Sequence, residues 1–488
     1  MNTRHSVSGE VAKVSPSRKP IYRMGLLLFT LVTLSSLFNI RKFPTMAATH
    51  WQLVGFSVMA LVMFLLPASL VSAELATGWP QTGGVYVWVK QAFGQKWGFT
   101  AVWLQWFQMT IGFVAALSTI AATLAYVFNP TLADHKGFQL VVILVVWWAL
   151  TFINLRGIKT YSLISSTFLI VGMIIPTVLL LAGGTLYVLS GHPLQIPLMP
   201  TFKALIPDFT NIHSTVLLIT FVFLFIGLEM SAAHVKEVKN IGRNYPLAIL
   251  IMGVVMVVLS IPSALLVSMI VPDQKLNLLA GVMQAFVTIF GKLAWLVPVV
   301  AILHVIGSIG EASTWTLGPV RSLAYTAREG NLPPLFQKLN KNGVPANLMF
   351  VQGGFITIWA MVYAILPGGV NSSYWILLSL TTAVYIMMYF LMYAAAIRLR
   401  YTHPNVKRPF SVPGGMVGIW IVGGWGIVAM AILLILTFIP PNQISFIGMS
   451  PIFYLLIMAI GVLVVIAIPL VIFRMRKPSW NMADENTK

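Results

Sequence analysis

Long stretches of this chain contain no charged residue, and they restrict its fold more than any other feature. They include Trp51 to Ala73, Trp97 to Ala133, Phe138 to Leu155, Thr160 to Phe202, Asn244 to Pro272, Asn342 to Ile397 and Pro409 to Phe473. A membrane-spanning helix needs about 20 apolar residues, so the longest stretches each hold two helices. Charged residues make up only 8% of the chain, against about 25% in soluble proteins. The sequence therefore predicts an all-α integral membrane protein, because helices satisfy their own backbone hydrogen bonds in lipid.

Twelve transmembrane helices are predicted when proline and glycine are taken as breaks. We place them at Met24 to Ala48, Gln52 to Ala73, Gly98 to Phe128, Phe138 to Asn154, Ser162 to Leu189, Ser214 to Val235, Tyr245 to Val271, Leu293 to Val320, Ala346 to Leu366, Tyr374 to Ile397, Val417 to Ile439 and Ile452 to Phe473. Spans one to five and six to ten can be superimposed as two repeats, and an odd number of helices gives the repeats opposite orientations. The predicted divisions are a cytoplasmic tail (1–23), a first repeat (24–190), an extracytoplasmic loop (191–213), a second repeat (214–397), a cytoplasmic loop (398–416), spans eleven and twelve (417–473) and a cytoplasmic tail (474–488).

The formal charge of +19 follows membrane topology rather than nucleic-acid binding. Basic residues gather before span one and after spans four, six, eight, ten and twelve, which by the positive-inside rule places both termini in the cytoplasm. The first residues are polar and the first apolar segment is long enough to span, so we expect no cleavable signal peptide. The chain has no cysteine, so we expect no disulfide-linked subunit. We predict a monomer or homodimer in the lipid bilayer of a bacterial plasma membrane.

Polar or flexible residues interrupt the first span of each repeat. In span one the interruption runs from Ser35 to Asn39 and is followed by Pro44, and in span six it runs from Ile226 to Glu229. Interrupted helices of this kind form midplane binding sites in transporters, where helix N-termini face a carboxylate. We therefore expect the substrate between the two interruptions. The predicted contact residues there are Ser35, Ser36, Asn39, Phe225, Ile226 and Gly227.

Three segments of the chain resemble a known family. They are Glu74-Leu75-Ala76 through Pro80, Gly83, Gly84 and Tyr86 to Phe93-Gly94; Phe225 to Glu229 through His234 and Lys239-Asn240 to Arg243-Asn244-Tyr245-Pro246; and Gly310-Glu311 through Trp315 and Gly318-Pro319 to Gly330-Asn331-Leu332-Pro333. They look like the amino acid-polyamine-organocation superfamily, and within it the glutamate/GABA antiporter branch. The resemblance implies a leucine-transporter-type fold with a five-plus-five inverted repeat and discontinuous helices one and six. It also implies a secondary active antiporter that exchanges an external amino acid for an internal amine or amino acid by alternating access.

The chain departs from that family just before the proline of span one. Acid-resistance exchangers of the family have a tyrosine-glutamate pair there, where this chain has Arg41, Lys42 and Phe43 before Pro44. Two interpretations of Arg41 stay open. Its long basic stem could snorkel to the outer interface, or its guanidinium could face the outer vestibule and attract a carboxylate or pair with an acid.

Glu229 is a carboxylate inside an apolar span, where ionised side chains are costly and usually functional. One interpretation is a role in gating, proton sensing or substrate contact, and the resemblance implies gating for the acid at this motif position. The other is a structural acid paired with a helix end or with Arg41. A carboxyl with no cation beside it could carry a proton at mildly acidic pH, whereas one beside Arg41 would not.

Span eight carries a second polar stripe, in which His304, Ser308 and Glu311 share one helical face. An intramembrane histidine and glutamate on one face could relay a proton or hold a cation, because histidine titrates near neutral pH. The alternative is a hydrogen-bonded packing cluster that locks span eight to span one. Glycines beside the stripe would allow that close packing.

Two further spans offer candidate substrate contacts. In span ten, Tyr385 belongs to a tyrosine stripe at helical spacing, which is typical of packing but needs hydroxyl partners when buried. In span three, Gln105 and Trp106 stand in an apolar helix, and polar side chains so placed tend to point inward. We predict that Tyr385, Gln105 and Trp106 line the substrate cavity. Ser308 of span eight is a further predicted substrate contact.

Several classes of function are disfavoured by what the sequence lacks. It has no P-loop pattern, no plausible catalytic triad and no clustered metal ligands, so we expect neither an enzyme nor a cofactor. An ion channel would need a continuous polar lining, whereas the polar residues gather near the middle of a few spans. A proton-coupled amino acid symporter remains the alternative to exchange, and an ion channel or a membrane-embedded enzyme is a more distant one.

Overall fold

The computed structural model describes residues 24–81, 83–156, 170–231, 238–441 and 449–481, and most of these residues are helical. The α-helices are α1 (Leu26–Leu37), α2 (Phe43–Ala47), α3 (Gln52–Ala60), α4 (Leu66–Gly78), α5 (Val85–Phe93), α6 (Gln95–Phe128), α7 (Lys136–Asn154), α8 (Ile175–Leu189), α9 (Ile212–Thr215), α10 (Leu218–Phe223), α11 (Ile241–Ile270), α12 (Gly281–Phe290), α13 (Val297–Thr326), α14 (Ala346–Ile365), α15 (Val370–Thr402), α16 (Gly415–Thr437) and α17 (Pro451–Met475). Single turns of π-helix join α3 to α4 and precede α8.

Eleven helical stretches in the described ranges are long and apolar enough to cross a membrane. They overlap predicted spans two to twelve, so a helical multi-pass membrane protein is confirmed. Span one does not qualify by length because it is divided into short pieces. The most deeply buried stretches are α15 and Ile212–Ser231, followed by α6. Helix α6 packs against both α15 and α13.

Span one is broken in its middle. Helix α1 ends at Leu37, Phe38 and Asn39 are extended, and a 3₁₀ turn over Ile40–Lys42 leads into α2. The Asn39 side chain accepts a hydrogen bond of 2.8 Å from the Arg41 N–H, as an N-cap residue does. The break therefore lies at the end of the interruption that the sequence predicts, and Asn39 itself starts the second half of the span.

Span six is also broken, at the predicted Gly227. Helix α10 ends at Phe223, residues 224–227 turn, and residues 228–231 form a 3₁₀ turn. The backbone of Gly227 has a φ of +101°, which side-chain-bearing residues rarely adopt, and a Cβ there would lie 2.3 Å from the Trp315 ring. Both the conformation and the space thus require glycine.

Two short helices, α5 and α12, were not among the predicted spans. They have nine and ten residues, too few to cross a bilayer, and each lies between the second and third spans of its predicted repeat. Other boundaries differ by a few residues. Helix α13 begins at Val297 rather than Leu293, because Gly291–Leu296 forms a 3₁₀ segment before the α-helix.

Candidate functional site

A cavity lies between the two helix breaks and spans three, eight and ten. Its volume is about 60 Å³. This is room for roughly four water molecules, since each needs about 10–15 Å³. The residues that line it are Leu37, Arg41, Lys42, Gln108, Met109, Gly112, Phe113, Ala116, Phe223, Ile226, Glu311, Ala312, Trp315, Thr381 and Tyr385. A largely apolar wall with a few convergent charged groups is the usual composition of a small-molecule site.

Glu311 provides the negative charge of this cavity. Arg41 Nη1 donates to Glu311 Oε2 over 2.8 Å, and the two side chains are 15% and 5% exposed. Asn39 Nδ2 donates to the same carboxylate oxygen. Span eight is therefore tied to the break of span one by one ion pair and one hydrogen bond. Arg41 faces the cavity rather than the outer interface, and its partner is Glu311 rather than Glu229.

Glu229 lies behind the cavity wall in a network of neutral donors. Its side chain is buried and accepts a 2.9 Å hydrogen bond from Gln105 Nε2. It also accepts hydrogen bonds from the hydroxyls of Tyr385 and Tyr389. The Tyr389 hydroxyl in turn accepts a 3.2 Å hydrogen bond from the N–H of Gly227. Glu229 is thereby connected through Tyr389 to Gly227 at the span six break, and directly to Tyr385 of the cavity wall.

The structure brings four of the predicted site residues to the cavity wall: Arg41, Ile226, Glu311 and Tyr385. Gln105 and Glu229 form the layer behind it, and Asn39 reaches Glu311 from the break. Phe225 is fully buried and Gly227 bonds Tyr389, but neither lines the cavity. Ser35 and Ser36 belong to α1, and their side chains lie outside the described part of the structure.

His304, Ser308 and Trp106 point to other helices. His304 Nδ1 lies 3.3 Å from the carbonyl oxygen of Gly172, on the described part of span five, and Ser308 Oγ lies 3.5 Å from His304 Nε2. A Cβ on Gly172 would lie 2.2 Å from the backbone of Gly307, so spans five and eight pack closely here. Trp106 Nε1 donates to Gln352 Oε1 over 2.8 Å, which joins span three to span nine.

Sequence reasoning missed several residues of the cavity wall. Gln108 and Gly112 lie one helical turn apart on α6, and a Cβ on Gly112 would approach the Thr381 side chain at 3.1 Å. The spacing of Gln108, Gly112 and Ala116 was the available signal, since small residues on one face allow another helix to approach. Trp315 was noted only for the resemblance. Within the described ranges, no group of three or more histidine, cysteine, aspartate or glutamate side chains is placed to hold a metal ion.

Comparison with known proteins gives matches over most of the chain. The sequence profile described as amino acid permease matches residues 24–466. An uncharacterized transporter of Legionella pneumophila is 34% identical over 88% of this chain and 91% of its own length. A glutamate/gamma-aminobutyrate antiporter of Lactococcus lactis subsp. lactis is 34% identical over 87% of this chain and 85% of its own length. The protein of the same name in Lactococcus lactis subsp. cremoris is 33% identical over 95% of this chain and 93% of its own length. This chain, with its charged cavity between two broken helices, belongs to the amino acid permease family.

Proposed function

We propose that this protein is a secondary active antiporter that exchanges an external amino acid for an internal amine or amino acid by alternating access. The observation that carries the proposal is the small cavity between the two helix breaks, which holds Arg41, Lys42 and Glu311 among apolar residues. In addition, two relatives that are named glutamate/gamma-aminobutyrate antiporters match most of this chain. Exchange of a glutamate-like amino acid for its decarboxylated amine fits both facts. Transport without covalent chemistry also fits a wall that offers charges but no activated nucleophile.

The proposed architecture is a twelve-helix, leucine-transporter-type fold with a five-plus-five inverted repeat. The first repeat comprises residues 24–190 and the second comprises 214–397. Two pairs of corresponding features support this division. Spans one and six are both broken near their middle, and the short helices α5 and α12 occupy equivalent positions after the second span of each repeat. Rocking of spans one, two, six and seven against the others would open the cavity to each side in turn.

The proposed setting is the bacterial plasma membrane, with both termini in the cytoplasm. The basic loops favour this orientation by the positive-inside rule. The proposed assembly is a monomer or a homodimer. The proposed ligands are a small amino acid and an amine, bound without a cofactor.

The charges of the cavity favour an acidic amino acid over a dicationic amine. Arg41 and Lys42 together outnumber Glu311 among the charged residues of the wall. A substrate with a net negative charge would offset the surplus positive charge, whereas a dication would be repelled. The guanidinium of Arg41 suits a carboxylate because its donors lie in one plane, and Glu311 offers an acceptor to the substrate's amino group.

Glu229 is the proposed gating or proton-coupling residue. An ionised carboxylate accepts hydrogen bonds from all three of its neighbours, but a protonated one has to donate a hydrogen bond and must displace a donor. Such a change would alter the contact of Tyr389 with Gly227 at the span six break. Substrate entry and the state of Glu229 would then be linked through this short chain of contacts.

Counterflow into proteoliposomes tests exchange directly. Purified protein is reconstituted with an internal pool of glutamate, gamma-aminobutyrate or another amino acid and amine, and uptake of the radiolabelled external substrate is followed. We expect uptake only when an internal partner is present. Uptake into empty liposomes driven by a proton gradient would contradict exchange and indicate proton-coupled symport. A chemically altered product would indicate an enzyme.

Arg41 distinguishes the proposed binding mode within the same assay. Arg41→Ala should raise the half-saturation concentration of an anionic substrate by about tenfold or more, since a charged hydrogen bond contributes about 1.5–3 kcal/mol. Arg476→Ala is the matched control, because that arginine makes an exposed hydrogen bond to Gln95 and neither residue lines the cavity. An unchanged half-saturation concentration in Arg41→Ala would remove Arg41 from the substrate site.

A further inference from the structure

Lys42 is buried at the meeting point of the two helix breaks. Lys42 is 5% exposed and lies in the 3₁₀ turn that follows the break of span one. Its Nζ donates to the carbonyl oxygen of Leu37 over 3.1 Å and to that of Leu224 over 3.1 Å. Leu37 lies before the break of span one and Leu224 at the break of span six. One ammonium group therefore bonds both interrupted helices.

Both acceptors lie at the C-terminal end of a half-helix. Leu37 is the last residue of α1, and Leu224 directly follows the last residue of α10. Carbonyls at a helix C-terminus have no partner within the helix and carry the negative end of its dipole. Two such ends that point at one place form a site for a cation, and interrupted transporter helices bind dissolved cations in this way.

In this protein the chain itself supplies the positive charge. The Lys42 ammonium also lies 5.4 Å from the centroid of the Phe223 ring, whose π face attracts cations. Arg41 and Glu311 are the other charged residues of the cavity wall, and they bond each other. The carboxylate is thus engaged by Arg41, and Lys42 is the charged residue that donates to the two carbonyl ends.

We propose that Lys42 is an internal cation that bridges the two helix breaks and takes the place of a dissolved coupling cation. It is a positioning residue: it holds the ends of α1 and α10 at the distance that shapes the cavity. A tethered ammonium remains in its site throughout, so substrate binding does not require capture of sodium or potassium. This inference rests on the proposed exchange activity for its transport readout.

The first experiment leaves the protein unaltered. Counterflow by the wild type is measured with sodium, potassium or choline as the main cation on both sides of the membrane. We expect equal rates in the three salts within about a factor of two. A requirement for sodium or potassium would overturn the proposal, because an occupied cation site has no need of either ion.

The second experiment removes the ammonium and then restores it as a solute. Lys42→Ala should lower exchange at least about tenfold, because it leaves two buried carbonyls without their donor. Added n-propylammonium replaces the three carbons and the ammonium that the substitution removes, and should restore a measurable part of the rate. Added n-propanol, which has no charge, should not. Wild type in the same solutions controls for competition between n-propylammonium and the transported amine.

Lys136→Ala is the matched control variant. Lys136 Nζ also donates to a carbonyl beyond a helix end, that of Leu366 over 2.5 Å, but it bonds one helix and does not line the cavity. We expect its exchange rate to stay near that of wild type and not to respond to n-propylammonium. Equal loss and equal rescue in both variants would show a general effect on stability and would overturn the role of Lys42.

Thermal unfolding in detergent separates this inference from the proposed function. If wild type exchanges none of the substrates, the exchange proposal fails, while the bridge can still be measured. Lys42→Ala should then unfold at a lower temperature than wild type, and n-propylammonium should raise that temperature in the variant alone. If the variant does not fold, Lys42→Arg keeps the charge and should fold and remain indifferent to sodium. An unfolding temperature of Lys42→Ala equal to that of wild type would disprove the bridge.

Discussion

Glu229 and Glu311 are two buried carboxylates beside the same cavity, yet they have opposite surroundings. Glu311 on span eight pairs with the guanidinium of Arg41 over 2.8 Å. The hydrogen-bond donors to Glu229 on span six are an amide and two phenols, with no cation among its described contacts. A buried ion pair is held by its mutual charge and is strongly perturbed when one partner is removed. A carboxyl among neutral donors can gain or lose a proton by rearranging hydrogen bonds.

The partners of the two acids indicate different roles for them. Glu311, fixed by Arg41 and Asn39, sets the charge of the cavity and connects span eight to the break of span one. Glu229 connects the cavity wall to the break of span six through two tyrosine hydroxyls. We propose on this ground that the first acid acts in substrate binding and the second in gating. This division follows from their partners, since both side chains are almost equally buried.

Breaking the ion pair between Arg41 and Glu311 should reduce transport more than any other single substitution. Glu311→Gln leaves the Arg41 charge in a buried site, which costs about 3–5 kcal/mol when a partner is removed, and we expect counterflow to fall about 100-fold or more. The double variant Glu311→Gln with Arg41→Met should be less unstable than the sum of the two single variants, because neither charge remains. Thermal unfolding and counterflow are measured on all four proteins. Strict additivity would show that the two side chains are not coupled.

A smaller effect is expected for Glu229→Gln. Tyr385 donates to Oε1 and Tyr389 to Oε2 of Glu229, so the single amide oxygen of glutamine keeps only one of these hydrogen bonds and its amide nitrogen faces the other tyrosine. The unfolding temperature should therefore fall, and counterflow should fall about tenfold, because a charged acceptor worth about 1.5–3 kcal/mol is lost. The pH profile of exchange should also change, since glutamine cannot take up a proton. Counterflow across mildly acidic to neutral pH measures both. A pH profile identical to that of wild type would remove the proton role from Glu229.

Much of the fold could be predicted from the sequence, because lipid imposes simple rules on it. Apolar stretches of sufficient length predict eleven of the spans that the structure contains, and the interruptions predict where spans one and six break. Helices α5 and α12 could not be predicted by the same rule, since they do not need to span. Their amphipathic pattern was the only signal.

The site was harder to predict because the partners of its residues lie on other helices, far away in the sequence. His304, Ser308 and Glu311 do lie on one helix at the predicted spacing. However, His304 contacts span five and Glu311 contacts span one. The sequence left open whether Arg41 pairs with Glu229, and only the packing of spans one, six and eight settles that its partner is Glu311. Lys42 was noted as a basic neighbour, and its contacts with Leu37 and Leu224 depend on two breaks that are far apart in sequence.

A finer comparison separates the two tyrosines of the Glu229 network. Tyr389→Phe removes a donor to Glu229 and the acceptor of the Gly227 N–H, whereas Tyr385→Phe removes only a donor to Glu229. We expect counterflow to fall about fivefold to tenfold for Tyr389→Phe and less for Tyr385→Phe, in line with about 1 kcal/mol for each hydrogen bond. Tyr393→Phe is the control, since the hydroxyl of Tyr393 has no hydrogen-bond partner within the described ranges. Equal rates in all three variants would contradict the proposed path from Glu229 to Gly227.

We expect less change from substitution of His304, at the end of the span eight stripe that packs against span five. His304→Gln keeps a donor for the carbonyl of Gly172, and neither His304 nor Ser308 lines the cavity. Counterflow should stay within about twofold of wild type, and its pH profile should not move, because a side chain in a packing contact contributes to stability rather than to proton transfer. The unfolding temperature should fall slightly, since the substitution disturbs the close approach of Gly172 and Gly307. A pH profile shifted in His304→Gln but not in Glu229→Gln would reverse the comparison, and would place proton coupling on span eight instead of span six.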